Sequence, residues 1–440
     1  MVLLSGEPGI GKSRLTAALM ERLAGEPHTR LRYFCSPQHT DSALYPIISQ
    51  MERAAGFAHD DTSQAKLDKL DALLAQSSTP HQDAALLAEM LSLPNDGRYP
   101  TFELAPPQRR QKTLEALTAQ LEALSSTNPV LMIFEDVHWI DPTTLEALER
   151  TVDRLRTLGV LLIITYRPEF EPPWIGRPYV TAITLNRLGE REIAAIIDGV
   201  RGNKLLPESI RQDIIERTDG VPLFVEEMTK AVLEAESEGD ALKTTAAVPS
   251  SAVTVPASLH ASLMARLDRL GPAKKVAQIG AVIGREFPYE LLGIVARRDE
   301  ADLRPALDRL SEARLVFRRG TPPDAIYTFK HALVQDAAYS TLLRGDRQQL
   351  HARIAEALEK RFPEWIAREP ELLAHHFAEA RQTERAIGYW LKAGERAASR
   401  SANLEAVRQL TRGLETLQTL PKALSGIAGN SRFKSRSARH

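Results

Sequence analysis

The chain has little of what several function classes require. In 440 residues there is one cysteine, Cys35. That excludes an intramolecular disulfide framework and a cysteine-rich metal site, and it fits a reducing compartment. Formal net charge at pH 7 is −1, so no global field draws the chain to nucleic acid or to a membrane surface. No uninterrupted apolar run approaches the ~18 residues of a membrane-spanning helix. The first residues have no basic segment and no cleavage site, so they do not read as a signal peptide. The expectation is a cytoplasmic protein with no membrane association. At 43% hydrophobic and 26% charged the chain has ordinary globular composition, and its length suits about three domains.

What is present is concentrated at the start. Val2 to Ser5 predicts a short buried strand. Gly6-Glu7-Pro8-Gly9-Ile10-Gly11-Lys12-Ser13-Arg14 follows, then a helix with Leu15, Ala18, Leu19 and Leu23 on one face. The spacing is that of a phosphate-binding loop, with a strand before it and a helix after it. Its glycines let the backbone turn tightly so that N–H groups face a phosphate chain. The helix N-terminus adds partial positive charge. Lys12 is expected to reach the β- and γ-phosphates and Ser13 to ligate Mg²⁺. The plainer alternative is a glycine turn that happens to precede a helix.

A second motif supports the first. Pro129 to Phe134 predicts a central strand ending in two acids, Glu135 and Asp136. Open α/β sheets bind ligands at the carboxyl ends of their strands. Glu135 is expected near the metal and Asp136 to polarise the attacking water, although the sequence does not separate the two roles. Asp141, directly before Pro142, is the better helix cap, which leaves the pair for the site. Gly159 to Tyr166 predicts another buried strand, ending at Arg167, which suits a γ-phosphate sensor; a surface arginine before a proline-rich loop is the alternative. His39 and Asp41 read as a solvated turn and cap rather than as a site.

The predicted fold class is an α/β P-loop core with a parallel sheet over 1–186, then a helical lid over 187–236 and a linker over 237–256. Residues 257–345, helices followed by a β-hairpin, read as winged-helix-like. Residues 346–421 read as the opening of a helical repeat array, and 422–440 as a disordered basic tail. In the lid, Gly220 suits a helix C-cap and Pro222 a helix start.

Gly6 to Arg14, Phe134 to Pro142, Thr165 to Glu169, Thr218 to Glu227 and Phe329 to Tyr339 together resemble the bacterial STAND-type ATPases (signal-transduction ATPases with numerous domains). The chain is most similar to the branch linked to class III adenylate/guanylate cyclase domains and followed by tetratricopeptide repeats. The resemblance covers roughly residues 1–420. It implies an ATP/ADP switch with Mg²⁺, slow turnover, a protein partner on the C-terminal helices and a nucleotide-dependent homo-oligomer. It implies that Arg167 is the sensor arginine, that Pro222 packs on adenine and that His331 reads the ADP β-phosphate; a buried helix-capping histidine is the alternative for His331. The family's segment before the phosphate loop and its cyclase domain have no counterpart here, so the expectation is a piece of a longer signalling protein. Two other readings stand beside the switch: an AAA-like transcription regulator or initiator acting on DNA through the winged helix, and a non-hydrolysing interaction scaffold. DNA is the less favoured partner, because Arg297, Arg298, Arg304 and Arg309 are interspersed with Asp299, Glu300, Asp302 and Asp308.

Overall fold

The computed structural model describes residues 1–58, 61–101, 103–243 and 258–419. They fall into two compact units, one of residues 1–5, 16–183 and from 351 on, the other of residues 6–15 and 184–350.

The first unit is built on a sheet. In chain order come β1 (Val2–Ser5), α1 (Lys12–Arg22), β2 (Thr29–Phe34), α2 (Tyr45–Ala55), α3 (Ser63–Ala75), α4 (His81–Met90) and α5 (Pro106–Thr127). Next are β3 (Val130–Glu135), α6 (Pro142–Arg154), β4 (Val160–Tyr166) and β5 (Thr181–Thr184). The sheet has five strands in the order β2-β3-β4-β1-β5. β1 runs parallel to β4, and β3 runs parallel to both β2 and β4. Every residue of β3 is buried, as a strand covered on both faces requires. Its side chains alternate: Leu131 and Ile133 pack with Met20 of α1, whereas Val130, Met132 and Phe134 join the larger core beneath α2 to α6. The first acid, Glu135, is the last residue of β3. Ser5, the last of β1, is in register with Tyr166, the last of β4.

The second unit contains α7 (Glu190–Arg201), α8 (Glu208–Thr218) and α9 (Pro222–Lys243). They share a core of Ile193, Ile197, Ile214, Val225, Met228 and Val232. The predicted linker start at 237 is corrected: α9 continues to Lys243, because nothing from Ser237 to Lys243 is a proline. Residues 244–257, the rest of that linker, lie outside the described residues. Then follow α10 (Leu259–Arg269), α11 (Pro272–Ile283), β6 (Glu286–Pro288), α12 (Tyr289–Ala296), α13 (Glu300–Glu312), β7 (Val316–Arg319), β8 (Ile326–Phe329) and α14 (Ala332–Ser340). The expected hairpin β7–β8 is the greater part of a three-stranded antiparallel sheet ordered β6-β8-β7. β6 was not legible in the sequence, since three residues ending in proline carry no alternation. Charge joins α9 to the elements after it. The Glu227 carboxylate pairs with Arg266 of α10, both almost fully buried. Glu226 accepts from Lys330 at 2.7 Å.

The C-terminal helices of the first unit are α15 (Arg344–Arg361, from His351 on), α16 (Pro363–Arg368), α17 (Pro370–Glu379), α18 (Thr383–Ser399) and α19 (Asn403–Gln418). A Cβ on Gly394 of α18 would lie 2.6 Å from Leu410 of α19, so these helices approach closely only because position 394 is glycine. Polar side chains fasten the helices to the sheet domain. Glu405 accepts from the backbone N–H of Thr143 at 2.8 Å and from its hydroxyl at 2.6 Å. Ser42 donates to Glu371 at 2.6 Å. Asp41 is buried, paired with Arg408 at 3.1 Å and Arg412 at 2.7 Å. The solvated-turn expectation for Asp41 is therefore overturned: its partners lie far along the chain, where local sequence gives no sign of them. His39 instead stacks on Tyr45, ring centroids 3.5 Å apart. The expected tail, 422–440, lies outside the described residues.

Candidate functional site

The glycine-rich loop follows directly from β1. Gly9 has φ +83° and Gly11 φ +106°, a region side chains other than glycine enter at a cost. No atom lies within 4 Å of where a Cβ on Gly11 would stand, so that side of the loop is open. Lys12 begins α1 and is almost fully buried. Its ammonium donates to the carbonyls of Gly6 at 2.6 Å and Glu7 at 3.1 Å. The loop thus curls around its own lysine. Ser13 and Arg14 are exposed on the first turn of α1, and Ile10 is buried. Pro8 and Gly9 are half-buried.

The start of α9 is bound to this loop. Pro222 opens α9, and the next residue, Leu223, donates its N–H to the Gly9 carbonyl at 3.2 Å. A Cβ on Gly9 would stand 3.2 Å from both Val221 and Leu223. Arg187 spans the same region, pairing with Glu7 at 2.9 Å and with Asp219. Asp219 lies in the Thr218 to Glu227 motif but was given no role from the sequence, and no motif marks Arg187. His331 stands at the N-cap of α14, with no capping bond from its side chain. Its buried Nε2 has no hydrogen-bond partner among the described residues. Burial, together with the neighbouring Lys330 ammonium, pushes its pKa down to about 4.

The acids belong to the sheet unit. Glu135 is buried, and its carboxylate pairs with Arg32 of β2 at 2.5 Å. That partner was not foreseen; the parallel register of β2 on β3, which sets Phe34 opposite Glu135, brings Arg32 within reach. Asp136 has φ +58° and donates its N–H to the Thr165 hydroxyl at 3.0 Å. The tight turn after β3 is thereby tied to β4. The Arg167 guanidinium lies over the Trp139 ring, 4.8 Å from its centroid. Asp141 caps α6 through the Thr144 N–H at 2.8 Å, as its position before Pro142 predicted. So Gly6 to Arg14, Pro222 and His331 lie in one compact unit, and Glu135, Asp136 and Arg167 in the other. Among the described residues, no group of three or more His, Cys, Asp or Glu gathers to hold a metal ion. A phosphate-bound Mg²⁺ does not need one, since it keeps several waters and takes few protein ligands. No helix among the described residues is long and apolar enough to cross a membrane.

Comparison with known proteins agrees with the loop. The chain is 30% identical over 423 residues to a protein of Rhizobium meliloti (strain 1021) described as uncharacterized. The match covers 94% of this chain and 40% of that protein, so the chain spans less than half the length of its relative. Among solved structures, it is similar to a STAND protein with a tetratricopeptide repeat sensor from Pyrococcus horikoshii, with TM-score 0.48 and 15% identity, over 99% of this chain and 61% of that one. It is also similar to a variant of RuvB from Thermotoga maritima, with TM-score 0.31 and 14% identity, over 78% of this chain and 88% of that one. Residues 1–164, from the β1 strand through the glycine-rich loop and both acids into β4, match the family described as the AAA ATPase domain.

Proposed function

We propose that the chain binds ATP and ADP with Mg²⁺ and works as a slow signalling switch of the STAND type. The observation that carries this reading is the loop itself: β1, then Gly9 and Gly11 at positive φ, then Lys12 at the head of α1. A phosphate chain fits that cradle because the side of Gly11 is open. Lys12 is the cation for the β- and γ-phosphates, and Ser13 with Glu135 the metal ligands. Bound Mg²⁺ would offset charge on the phosphates. Asp136 orients water, and Arg167 senses the γ-phosphate. α7 to α9 act as the lid, with Pro222 on the base. The Leu223–Gly9 hydrogen bond supports this reading, since it couples the first turn of that lid to the loop. α10 to α14 with their small sheet are the winged helix, and His331 is its phosphate-reading residue. α15 to α19 begin a tetratricopeptide-like array that takes a protein partner, and nucleotide-dependent self-association follows from the same switch. Linkage to a cyclase or another output domain, and a cytoplasmic setting, belong to this proposal too.

Calorimetry with ATP and with ADP, in Mg²⁺, tests the reading. Lys12→Ala should abolish high-affinity binding while circular dichroism stays unchanged. Equal affinity in the folded variant refutes the loop assignment.

A further inference from the structure

Residues 185–188 lie against two parts of the second unit, the glycine-rich loop and the turn that leads into α9. Two glycines make room for them. A Cβ on Gly6 of the loop would stand 3.3 Å from Leu185, and a Cβ on Gly220 of the turn would stand 2.5 Å from the Leu188 carbonyl. Backbone hydrogen bonds tie the parts together. Leu188 donates its N–H to the Gly220 carbonyl at 2.8 Å, and Leu223, just past the turn, donates to Gly9 at 3.2 Å. The turn is tight, with Asp219 at φ +48° and Gly220 at φ +72°. It sets where Pro222 and Leu223 meet the loop.

One side chain reaches all three parts. Arg187 comes from the middle segment. Its Nη2 donates to both oxygens of Glu7, at 2.9 and 3.2 Å. Its Nη1 donates to Asp219. Glu7 is the second residue of the loop, and Asp219 is the C-cap of α8. The planar fork of an arginine presents donors to two carboxylates at once, which the compact charge of a lysine does not. Without that guanidinium, two like charges would face each other where the turn meets the loop. Arg187 is 45% exposed, Glu7 49% and Asp219 74%, so the cluster is worth a modest factor and salt screens it. We propose that Arg187 is a positioning residue that clamps the turn before α9 onto the glycine-rich loop and slows the release of a nucleoside diphosphate held there. Leu223 and Gly9 part when the turn lifts, and that opening is the motion the clamp opposes. The effect on nucleotide rests on the proposed function; the clamp itself rests on the contacts of Arg187.

Two measurements on the full chain test it. Without nucleotide, hydrogen exchange at the Leu188 and Leu223 amides should quicken in Arg187→Ala by roughly threefold to tenfold, the scale of one or two partly exposed ion pairs. With Mg²⁺, a fluorescent ADP analogue chased by excess ADP should leave faster by a similar factor. Asp219→Asn alone should quicken both, but should add nothing to Arg187→Ala, because the charges act as one unit. Raising salt should narrow the gap between wild type and Arg187→Ala, which a purely steric role would not do. Unchanged exchange at both amides overturns the clamp, as does full additivity of Asp219→Asn on Arg187→Ala. Faster exchange with unchanged ADP release overturns the positioning role and leaves the nucleotide reading intact. Failure of the wild-type chain to bind ADP refutes the nucleotide reading, and amide exchange still decides the clamp. Asp219→Asn, at an exposed side chain, gives the same readings if Arg187→Ala does not fold.

Discussion

Asp141 is the residue whose replacement discriminates best between the forces that hold the turn after β3. It is fully buried. One oxygen, Oδ1, accepts from the backbone N–H of Leu44 at 2.9 Å and of Thr144 at 2.8 Å. The other, Oδ2, accepts from the Thr144 hydroxyl at 2.6 Å. Burial pushes its pKa up to about 7, against the lowering effect of the Thr144 and Leu44 hydrogen bonds. Asp141→Ala removes the cap and leaves two buried N–H groups without acceptors, for a loss of about 3–5 kcal/mol. Asp141→Asn keeps an oxygen for both N–H groups, and the Thr144 hydroxyl can turn to accept from the new amide. It also removes a buried charge. The sign follows from proton binding. Between about pH 4 and 7 the folded chain holds a proton that the unfolded chain has released, so wild-type stability falls as pH rises through that window. The folded pKa of about 7 against a model value of 3.8 puts an upper bound of about 4 kcal/mol on that loss. Urea unfolding at pH 5 and pH 8, with hydrogen exchange at the Thr144 and Leu145 amides, measures it. Asp141→Ala should be destabilised at both values. Asp141→Asn should match or exceed wild type at pH 8 and show a smaller advantage at pH 5. If Asp141→Asn is as damaging as Asp141→Ala at pH 8, the account of this residue as a buried acceptor with a penalised charge is wrong.

Three further outcomes are expected. Gly220→Ala should lower the unfolding midpoint of the second unit, because position 220 has φ +72° and a Cβ there would meet the Leu188 carbonyl at 2.5 Å; a loss of about 1–3 kcal/mol is the scale for such strain, and no change would mean the turn relaxes freely. Acid should weaken the second unit in two windows. His331, with its pKa pushed down to about 4, loses its contribution as pH falls from about 6.5 to 4. Glu226 is pushed up by burial, but hydrogen bonds from Lys230 and Lys330 overcome this and carry it down to about 2; its contribution is lost as pH falls from about 4.5 to 2. Glu226→Gln should erase only the lower window in a circular-dichroism pH titration. Glu135→Gln and Asp136→Asn should retain ATP binding and slow hydrolysis by about 10²-fold or more in a phosphate-release assay, the range for loss of a positioned acid–base group; wild-type turnover in both variants would remove the acids from the chemistry.

The sequence by itself determined the elements whose cause is local. The β1 strand, the glycine loop and α1 follow from residues 2 to 23. β3 is legible because Val130 to Phe134 are all apolar, as a strand buried on both faces requires. Asp141 before Pro142 announces a cap, and the helices of the second unit follow from their periodicity. Tertiary structure decided whatever depends on partners distant in the chain. Arg32 meets Glu135 because of strand register. Asp41 is buried because Arg408 and Arg412 arrive from α19, and Thr143 is satisfied by Glu405 from the same helix. Local patterns report what a residue prefers over a few neighbours; pairing and burial of charge are properties of segments brought together from far along the chain, and no single segment encodes them.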